Sequence, residues 1–278
     1  MAIDAHAHLS ADFSWQALEA LAASGRFEQV WLMDLAACEL RMPGFPQVVG
    51  NRAGVLEVAH RFPGFFVPFG YLDLREGPDI VDRLKEEGFV GLKAYRPERP
   101  FDDPSYFEHY ARAAEFGMPI LVHTGILAKA PRNGIAPGLS HGAENMRPAR
   151  LAGVAETFPS LTLIGGHLGW PWLEETALNL YYHPNIYHDM SGYREAVNWL
   201  MHNLDRKCND GTKRYFNHKI LFATDTFLGS EDANTEAIKI LTFSELFLEL
   251  IGGYYYRWGE PEEREKLLGD NARKILEQ

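Results

Sequence analysis

Short apolar runs alternate with amphipathic segments along almost the whole chain. Each run ends at turn-forming residues, and the next segment repeats its apolar residues with the period of a helix. The predicted strands are Ala2–Leu9, Val30–Leu35, Phe65–Leu72, Phe89–Tyr95, Pro119–His123, Leu161–His167, Asn185–Met190 and Lys219–Thr224. The predicted helices are Trp15–Ala23, Val49–Arg61, Ile80–Glu87, Tyr106–Phe116, Arg147–Phe158, Trp172–Tyr181, Arg194–Leu204, Asn234–Glu249 and Pro261–Glu277.

Eight strands that alternate with helices predict a parallel sheet, because each helix supplies the crossover that a parallel pair needs. A closed barrel fits better than an open doubly wound sheet, since no GxGxxG follows the first strand. Such a barrel typically needs roughly 250 residues, and no linker or repeat divides the 278-residue chain. The sequence therefore predicts an α/β fold, a (β/α)₈ TIM barrel, as one domain over residues 1–278.

Composition narrows the function classes. Hydrophobic residues make up 46% and charged residues 23%, which is typical of a globular protein. A net charge of −11 argues against nucleic acids and anionic membranes as partners. No apolar stretch approaches the roughly 20 residues that span a bilayer, no signal peptide opens the chain, and the two cysteines cannot build a disulfide framework. We expect a soluble, cytoplasmic protein that acts on a small molecule.

Polar side chains end several of the predicted strands. His6 and His8 lie two residues apart in the first strand, so alternation places them on one face, with Asp4 one layer deeper. The residues that end or follow later strands are Lys93, His123, His167 and Asp225. Barrel enzymes place their chemistry at the carboxyl ends of the strands. These side chains are therefore the candidate active site.

A single buried histidine is most often an ordinary core residue. Four imidazoles and a carboxylate in one ring are costly to bury unless a cation neutralises and coordinates them. Imidazole and carboxylate ligands suit zinc, manganese, iron or nickel. The spacing of these residues therefore predicts a divalent metal site.

Motifs spread over nearly the whole chain resemble the amidohydrolase superfamily, particularly the amidohydrolase-related branch that includes aminocarboxymuconate-semialdehyde decarboxylase. They are IDAHAHL (3–9), GLKAYRP (91–97), ILVHTG (120–125), RPARLAGVAETFPSLTLIGGHLG (147–169), HPNIYHDMSG (183–192), LFATD (221–225) and GDNARKIL (269–276). The resemblance is specific for fold and metal site and unspecific for substrate. Its members hydrolyse amides, lactones and esters, and also catalyse decarboxylation and hydration.

The resemblance implies a ligand set. The metal ligands would be His6, His8, His123 and Asp225, while His167 would either join a second metal or polarise the substrate. Zinc is the expected ion, and one ion is favoured over two. Binuclear members carry a carbamylated lysine on the fourth strand, and KAYRP (93–97) resembles the dihydroorotase version of that motif. Lys93 would otherwise stay an amine that pairs with Asp225 or with a substrate carboxylate.

Other residues near the predicted mouth of the barrel have two readings each. Arg96 and Arg132 would bind a substrate carboxylate or lie on the surface, and Trp170 would wall the pocket or pack against a helix. The aromatic cluster Tyr254–Trp258 is consistent with a subunit contact or with core, which leaves a homo-oligomer open. Gly138–Gly142 matches the GxSxG pattern of serine hydrolases, but no predicted strand leads into it.

The leading hypothesis is a metal-dependent hydrolase of a small amide, ester or lactone. Asp225 would take the proton of a metal-activated water, and His167 would hydrogen-bond the developing oxyanion. Non-oxidative decarboxylation of an unsaturated or aromatic acid is the chemical alternative. A non-enzymatic barrel that binds a ligand is the third reading.

Overall fold

A computed structural model describes residues 1–35, 52–126, 142–192, 198–200, 202–252 and 260–277. Within these ranges, nine strands form one parallel sheet in the order β8-β7-β6-β5-β4-β3-β2-β1-β9. The strands are β1 (Ala2–Leu9), β2 (Phe27–Met33), β3 (Phe66–Leu72), β4 (Gly91–Ala94), β5 (Ile120–Val122), β6 (Leu163–Gly165), β7 (Ile186–Asp189), β8 (Ile220–Leu221) and β9 (Phe227–Leu228).

The sheet closes into a barrel through the chain between β8 and β9. Ala5 N donates to Phe222 O at 3.0 Å, and Asp225 N donates to His6 O at 2.7 Å. The predicted eighth strand, Lys219–Thr224, is therefore interrupted rather than continuous. Its regular extended backbone stops before Asp225, which adopts a positive φ of 56°. The two short strands on either side of this break together occupy the eighth position of the barrel.

The helices cover the outside of the barrel. They are α1 (Trp15–Ala23), α2 (Arg52–Arg61), α3 (Asp79–Glu87), α4 (Phe107–Glu115), α5 (Gly142–Asn145), α6 (Arg150–Thr157), α7 (Leu173–Tyr182), α8 (Glu231–Phe247), α9 (Pro261–Glu265) and α10 (Asn271–Leu276). The helix α8 begins three residues before its predicted start because Ser230 caps it and accepts from Ala233 N. Five of the eleven residues of the predicted helix Arg194–Leu204 lie outside the described residues, and of the other six only residues 198–200 are helical.

Apolar side chains pack on both sides of the strands. The larger cluster joins outward-facing strand residues to the helices. The second cluster takes alternating residues of the same strands, among them Trp31, Phe69 and Ile164, and fills the inside of the barrel. Ala272 and Ile275 of α10 join this inner cluster. The polar residues at the carboxyl ends of the strands thus lie next to a packed apolar layer inside the barrel.

Candidate metal centre

The carboxyl end of β1 meets the loop after β8 at a cluster of ligand-type atoms. His8 Nε2 lies 3.0 Å and His6 Nε2 lies 3.4 Å from Asp225 Oδ1. One ligand atom from each of these residues falls within 4.8 Å of the other two. The pairing of β1 with β2 is irregular between Asp4 and Ala7, so simple alternation does not hold there. Both histidines nevertheless reach the same carboxylate, as their spacing predicts.

A second cluster shares His6 and lies deeper. His6 Nδ1 is 2.9 Å from Asp189 Oδ2 at the end of β7, and the His6 and His167 rings lie 5.2 Å apart. Ligand atoms of His6, His167 and Asp189 also fall within 4.8 Å of one another, and all three residues are buried. His6 therefore connects the two groups.

Lys93 lies at the same place as the histidines. Its amine is 2.8 Å from His6 Nε2, and the side chain is fully buried. Since an ammonium only donates, His6 Nε2 accepts this hydrogen bond. The structure thus brings Lys93 to the nitrogen that also faces Asp225. Carbamylation of Lys93 stays a prediction.

His123 approaches the site through His167. His123 Nδ1 lies 3.1 Å from His167 Nε2, and His123 Nε2 lies 3.4 Å from Ile126 O. The Tyr95 ring packs edge-on against His123 at 4.9 Å. Among the described residues, His123 belongs to neither three-residue group. Its role as a metal ligand stays a prediction.

Burial and neighbouring charges set the protonation of these groups. Burial, and then the Lys93 charge, lower the pKa of His6 to about 4. Burial, with His167 and Lys93 nearby, holds the pKa of His123 well below its usual value. Burial alone would raise the pKa of Asp225, but His6, His167 and His8 outweigh it and keep that pKa well below normal. The site thus combines the neutral imidazoles of His6 and His123 with the ionised carboxylate of Asp225 near neutral pH.

A buried carboxylate on β1 holds the turn that presents Asp225. Asp4 accepts from Thr224 N at 3.0 Å and from Thr224 Oγ1 at 2.6 Å. The ring of Phe227 stacks on His8 at 4.9 Å on the far side of the turn. These contacts fix the backbone on both sides of Asp225.

His167 is presented by a second unusual turn, directly after β6. His167 and Leu168 have positive φ values of 59° and 50°. Asp189 Oδ1 accepts from His167 N at 2.9 Å, and Ser191 Oγ lies 2.9 Å from His167 Nδ1. We did not predict Asp189 or Ser191 as site residues. The motif HPNIYHDMSG (183–192) contained the necessary observation, since Asp189 is the polar residue that ends β7.

Asp34 and Asp73 extend this pattern to the two remaining strands, and the sequence reasoning missed both. They directly follow β2 and β3. Asp34 is paired with Arg52 at 3.2 Å, and Asp73 with Arg75 at 2.5 Å. Both carboxylates therefore already have cationic partners outside the two ligand groups.

The predicted substrate-binding residues are placed differently from one another. Arg96 Nε and Nη2 are buried and have no hydrogen-bond partner within the described residues, and the guanidinium lies 5.2 Å from the centre of the Tyr95 ring. Trp170 follows the His167 turn, where its carbonyl accepts from Ile126 N at 3.1 Å. Two residues further on, the Trp172 ring lies 5.2 Å from the Arg147 guanidinium. Arg132 lies outside the described residues.

The serine-hydrolase alternative has no support in the described residues. Ser140 of the GxSxG match lies outside them. Asp189 and His218 follow Ser140 in the order serine, aspartate, histidine, so they could complete such a triad. Both have other partners, because Asp189 Oδ2 lies 2.9 Å from His6 Nδ1 and His218 Nε2 lies 2.8 Å from Glu263 Oε2.

A family model described as amidohydrolase matches residues 3–278. The chain belongs to the amidohydrolase family. This match confirms the resemblance seen in the motifs. Among the described residues of this amidohydrolase, no helix is long and apolar enough to cross a membrane.

Solved structures with the same fold include both hydrolases and decarboxylases. An uncharacterized TIM-barrel protein from Bordetella bronchiseptica is 18% identical with a TM-score of 0.68, covering 99% of this chain and 98% of that one. A probable 2-pyrone-4,6-dicarboxylic acid hydrolase from Acinetobacter baumannii is 15% identical with a TM-score of 0.58, covering 100% and 99%. A 2,6-dihydroxybenzoate decarboxylase from Rhizobium is 16% identical with a TM-score of 0.61, covering 99% and 98%. These likenesses confirm the TIM barrel.

One curated protein also matches part of the sequence. The phenylalanine–tRNA ligase alpha subunit of Thioalkalivibrio sulfidiphilus is 27% identical over 121 residues, which is 44% of this chain and 34% of that protein. The chain therefore spans about a third of that relative's length.

Proposed function

We propose that this amidohydrolase is a metal-dependent hydrolase that cleaves a small amide, ester or lactone. The observation that supports the proposal is the convergence of His6 Nε2, His8 Nε2 and Asp225 Oδ1 at the carboxyl ends of the barrel strands. Active sites of TIM-barrel enzymes lie at this end of the barrel.

The donor set fits a divalent ion, with zinc as the proposed metal. Two imidazoles and one carboxylate match catalytic zinc sites, which use three protein ligands and keep a position open. His6, His8 and Asp225 would hold the ion, with His123 proposed as a further ligand. A bound divalent ion acts as a Lewis acid and lowers the pKa of coordinated water from 15.7 to about 7.

The residues of this chain would then move protons and bind charge. Asp225 uses Oδ1 towards His8 and His6, and the side chain is 34% exposed, so its second oxygen is available to take a proton from water and return it to the leaving group. We propose that His167 orients that water by accepting a hydrogen bond from it through Nε2, rather than donating to the oxyanion. Its ring is buried between His6 and His123, where a hydrogen bond is strengthened by the low local dielectric.

The position of Arg96 is an argument for a substrate that carries a carboxylate. Two of its guanidinium nitrogens are buried without a partner among the described residues, and a buried cation is costly unless an anion pairs with it. A carboxylate would satisfy both nitrogens as a bidentate pair. The same observation supports decarboxylation of an unsaturated or aromatic acid as a second candidate, because that reaction also requires a bound carboxylate.

A substrate panel tests the proposal. Zinc-loaded protein is incubated with lactones, esters and amides, each with and without a carboxylate, while proton release from the lactones and esters and amine release from the amides are recorded. The same protein is incubated with aromatic and unsaturated acids while carbon dioxide release is recorded. We expect zinc-dependent proton release with a carboxylated lactone or ester, or zinc-dependent amine release with a carboxylated amide. Carbon dioxide release without any hydrolysis would favour the decarboxylase, and neither product from a zinc-loaded protein would count against both.

A further inference from the structure

We propose that Ser191 and Asp189 are positioning residues for His167. They hold the imidazole in the tautomer with its proton on Nδ1, so that Nε2, which faces His123, carries the lone pair of the ring. The catalytic consequence rests on the role proposed above for His167, whereas the assignment of the tautomer does not.

The hydrogen bonds of the Asp189 carboxylate begin the argument. Asp189 Oδ1 accepts from His167 N at 2.9 Å, from Ser191 N at 3.0 Å and from Ser191 Oγ at 2.6 Å. Asp189 Oδ2 lies 2.9 Å from His6 Nδ1. An ionised carboxylate is an acceptor only. Each of these four groups must therefore donate to Asp189.

The Ser191 hydroxyl carries this constraint to the His167 ring. A hydroxyl has a single proton, and Ser191 gives it to Asp189 over 2.6 Å. Ser191 Oγ also lies 2.9 Å from His167 Nδ1, where it can then only accept. His167 Nδ1 must therefore be protonated, and in the neutral ring Nε2 keeps its lone pair.

The backbone around His167 encloses the Nδ1 side of the ring. Gly192 has a φ of 98°, and a Cβ at that position would lie 3.1 Å from His167 Nδ1. Ser191 is 2% exposed and His167 is 4% exposed. Nδ1 is thus sealed against the chain after β7, and Nε2 lies on the opposite edge of the ring, 3.1 Å from His123 Nδ1.

The same geometry separates this arrangement from a serine nucleophile. In a serine hydrolase the serine gives its proton to a histidine. Here the Ser191 proton is directed to Asp189, away from the histidine, and the hydroxyl is buried. Ser191 therefore acts through His167 rather than on the substrate.

Nitrogen NMR of protein labelled with ¹⁵N-histidine tests the assignment without a substrate. The His167 signals are identified by their loss in His167→Gln, and spectra are recorded above neutral pH with and without zinc. We expect wild-type His167 to be the Nδ1–H tautomer. Ser191→Ala should give a mixture of tautomers, and Ser191→Thr, which keeps the hydroxyl, should restore the single form. An Nε2–H tautomer in the wild type would overturn the proposal, whether or not the variants fold.

Thr176→Val is the matched control. Thr176 Oγ1 donates to Leu168 O at 2.6 Å, so this variant loses an equally short buried hydrogen bond to the same turn without touching the ring. It should lower stability and leave the His167 tautomer unchanged. A tautomer mixture in Thr176→Val, or a pure Nδ1–H form in Ser191→Ala, would show that the turn rather than the hydroxyl sets the tautomer.

Turnover gives the second measurement, with the best carboxylated lactone, ester or amide of the panel as the probe. Loss of a residue that orients an active-site histidine typically costs about 10- to 100-fold in activity. We expect that loss in kcat for Ser191→Ala, with KM and zinc content unchanged. A changed tautomer with unchanged kcat would refute the catalytic role of His167 and leave the tautomer assignment standing.

Discussion

The tautomer of each histidine decides which of its two nitrogens can bind a metal ion or accept a proton. His6 directs Nδ1 to Asp189 at 2.9 Å, which leaves the Nε2 lone pair towards Lys93 and Asp225. A carboxylate behind a ligating histidine fixes its tautomer and raises its basicity. Asp189 would therefore prepare His6 for its proposed role as a metal ligand, and it also holds the turn of His167. No spacing in the sequence predicts this double role.

Replacement of His167 separates a ligand from a catalyst. If His167 acts only on the attacking water, His167→Ala should keep its zinc and lose about two to four orders of magnitude in kcat, as expected when a positioned acid–base group is lost. Metal analysis together with steady-state kinetics on the best panel substrate checks this. Loss of metal along with turnover would place His167 in the coordination sphere, and unchanged turnover would remove it from the mechanism.

Replacement of Arg96 tests the proposed carboxylate subsite. Arg96→Met should raise KM for a carboxylated substrate by roughly 10- to 100-fold, since a hydrogen bond to a charged group contributes about 1.5–3 kcal/mol. KM for the matching uncarboxylated compound should not change. Arg99→Met is the control, because the Arg99 side chain is 63% exposed and pairs with Asp103. Equal effects on both compounds would contradict the subsite.

Two short turns at the ends of strands carry Asp225 and His167, the two side chains proposed to be catalytic. Asp225 and His167 are both non-glycine residues with positive φ, a conformation that costs of order 1–3 kcal/mol per residue unless the surroundings enforce it. Each turn is held by a buried carboxylate from a neighbouring strand, Asp4 for the first and Asp189 for the second. The neighbouring strands thus position both turns through buried carboxylates.

The buried Asp4 side chain, which accepts hydrogen bonds from Thr224, gives a prediction about how stability depends on pH. Burial, partly opposed by the hydrogen bonds of Thr224, raises the pKa of Asp4 from 3.8 to about 7. Because the pKa of Asp4 is higher in the folded than in the unfolded state, its protonated form stabilises the folded state at a pH below about 4. This contribution to the free energy of unfolding is lost as pH rises from about 4 through about 7. At about 1.36 kcal/mol per pKa unit, the loss reaches about 4 kcal/mol at most.

Asp4→Asn cannot ionise and should lack this fall in the free energy of unfolding. Urea denaturation of the metal-free proteins across this pH range measures it. The difference between the variant and the wild type should change in favour of Asp4→Asn as pH rises. Parallel curves for the two proteins would contradict a raised pKa at Asp4.

The order of strands and helices was predictable, and their local irregularities were not. Hydrophobic periodicity located the runs because both faces of a barrel strand are buried. It could not show that the eighth strand breaks before Asp225, since that break depends on hydrogen bonds to Asp4 and His6, far away in sequence. The irregular pairing of β1 between Asp4 and Ala7 escaped for the same reason.

For the whole molecule, the barrel should fold without metal and be stabilised by it. An ion that binds only the folded state adds about 2.7 kcal/mol at a concentration 100 times its Kd. For a chain of this size we expect a Tm increase of roughly 5–10 °C when zinc is added to metal-free protein. Differential scanning calorimetry checks this, with His8→Ala as the variant that should show no increase.

The fold of the whole molecule was predictable from the sequence, and so was the end of the barrel at which the candidate site lies. The substrate was not predictable. Histidines and acids at strand ends locate an active site wherever the barrel brings those ends together. Substrate choice depends on the loops above them and, as proposed here, on Arg96, whose buried nitrogens have no partner among the described residues. Only a structure shows this feature. The family match and the shared fold do not select one reaction, since the structures with this fold include a probable hydrolase and a decarboxylase.

Zinc stoichiometry, measured by elemental analysis and calorimetric titration, tests the central claim most directly. Wild-type protein stripped with a chelator and reloaded should bind one zinc ion per chain. His6→Ala and His8→Ala should each lose that ion while remaining folded by circular dichroism, because a barrel of this size has its own apolar core. A wild-type protein that binds no zinc, or two variants that both retain a full equivalent, would contradict a metal centre built on His6, His8 and Asp225.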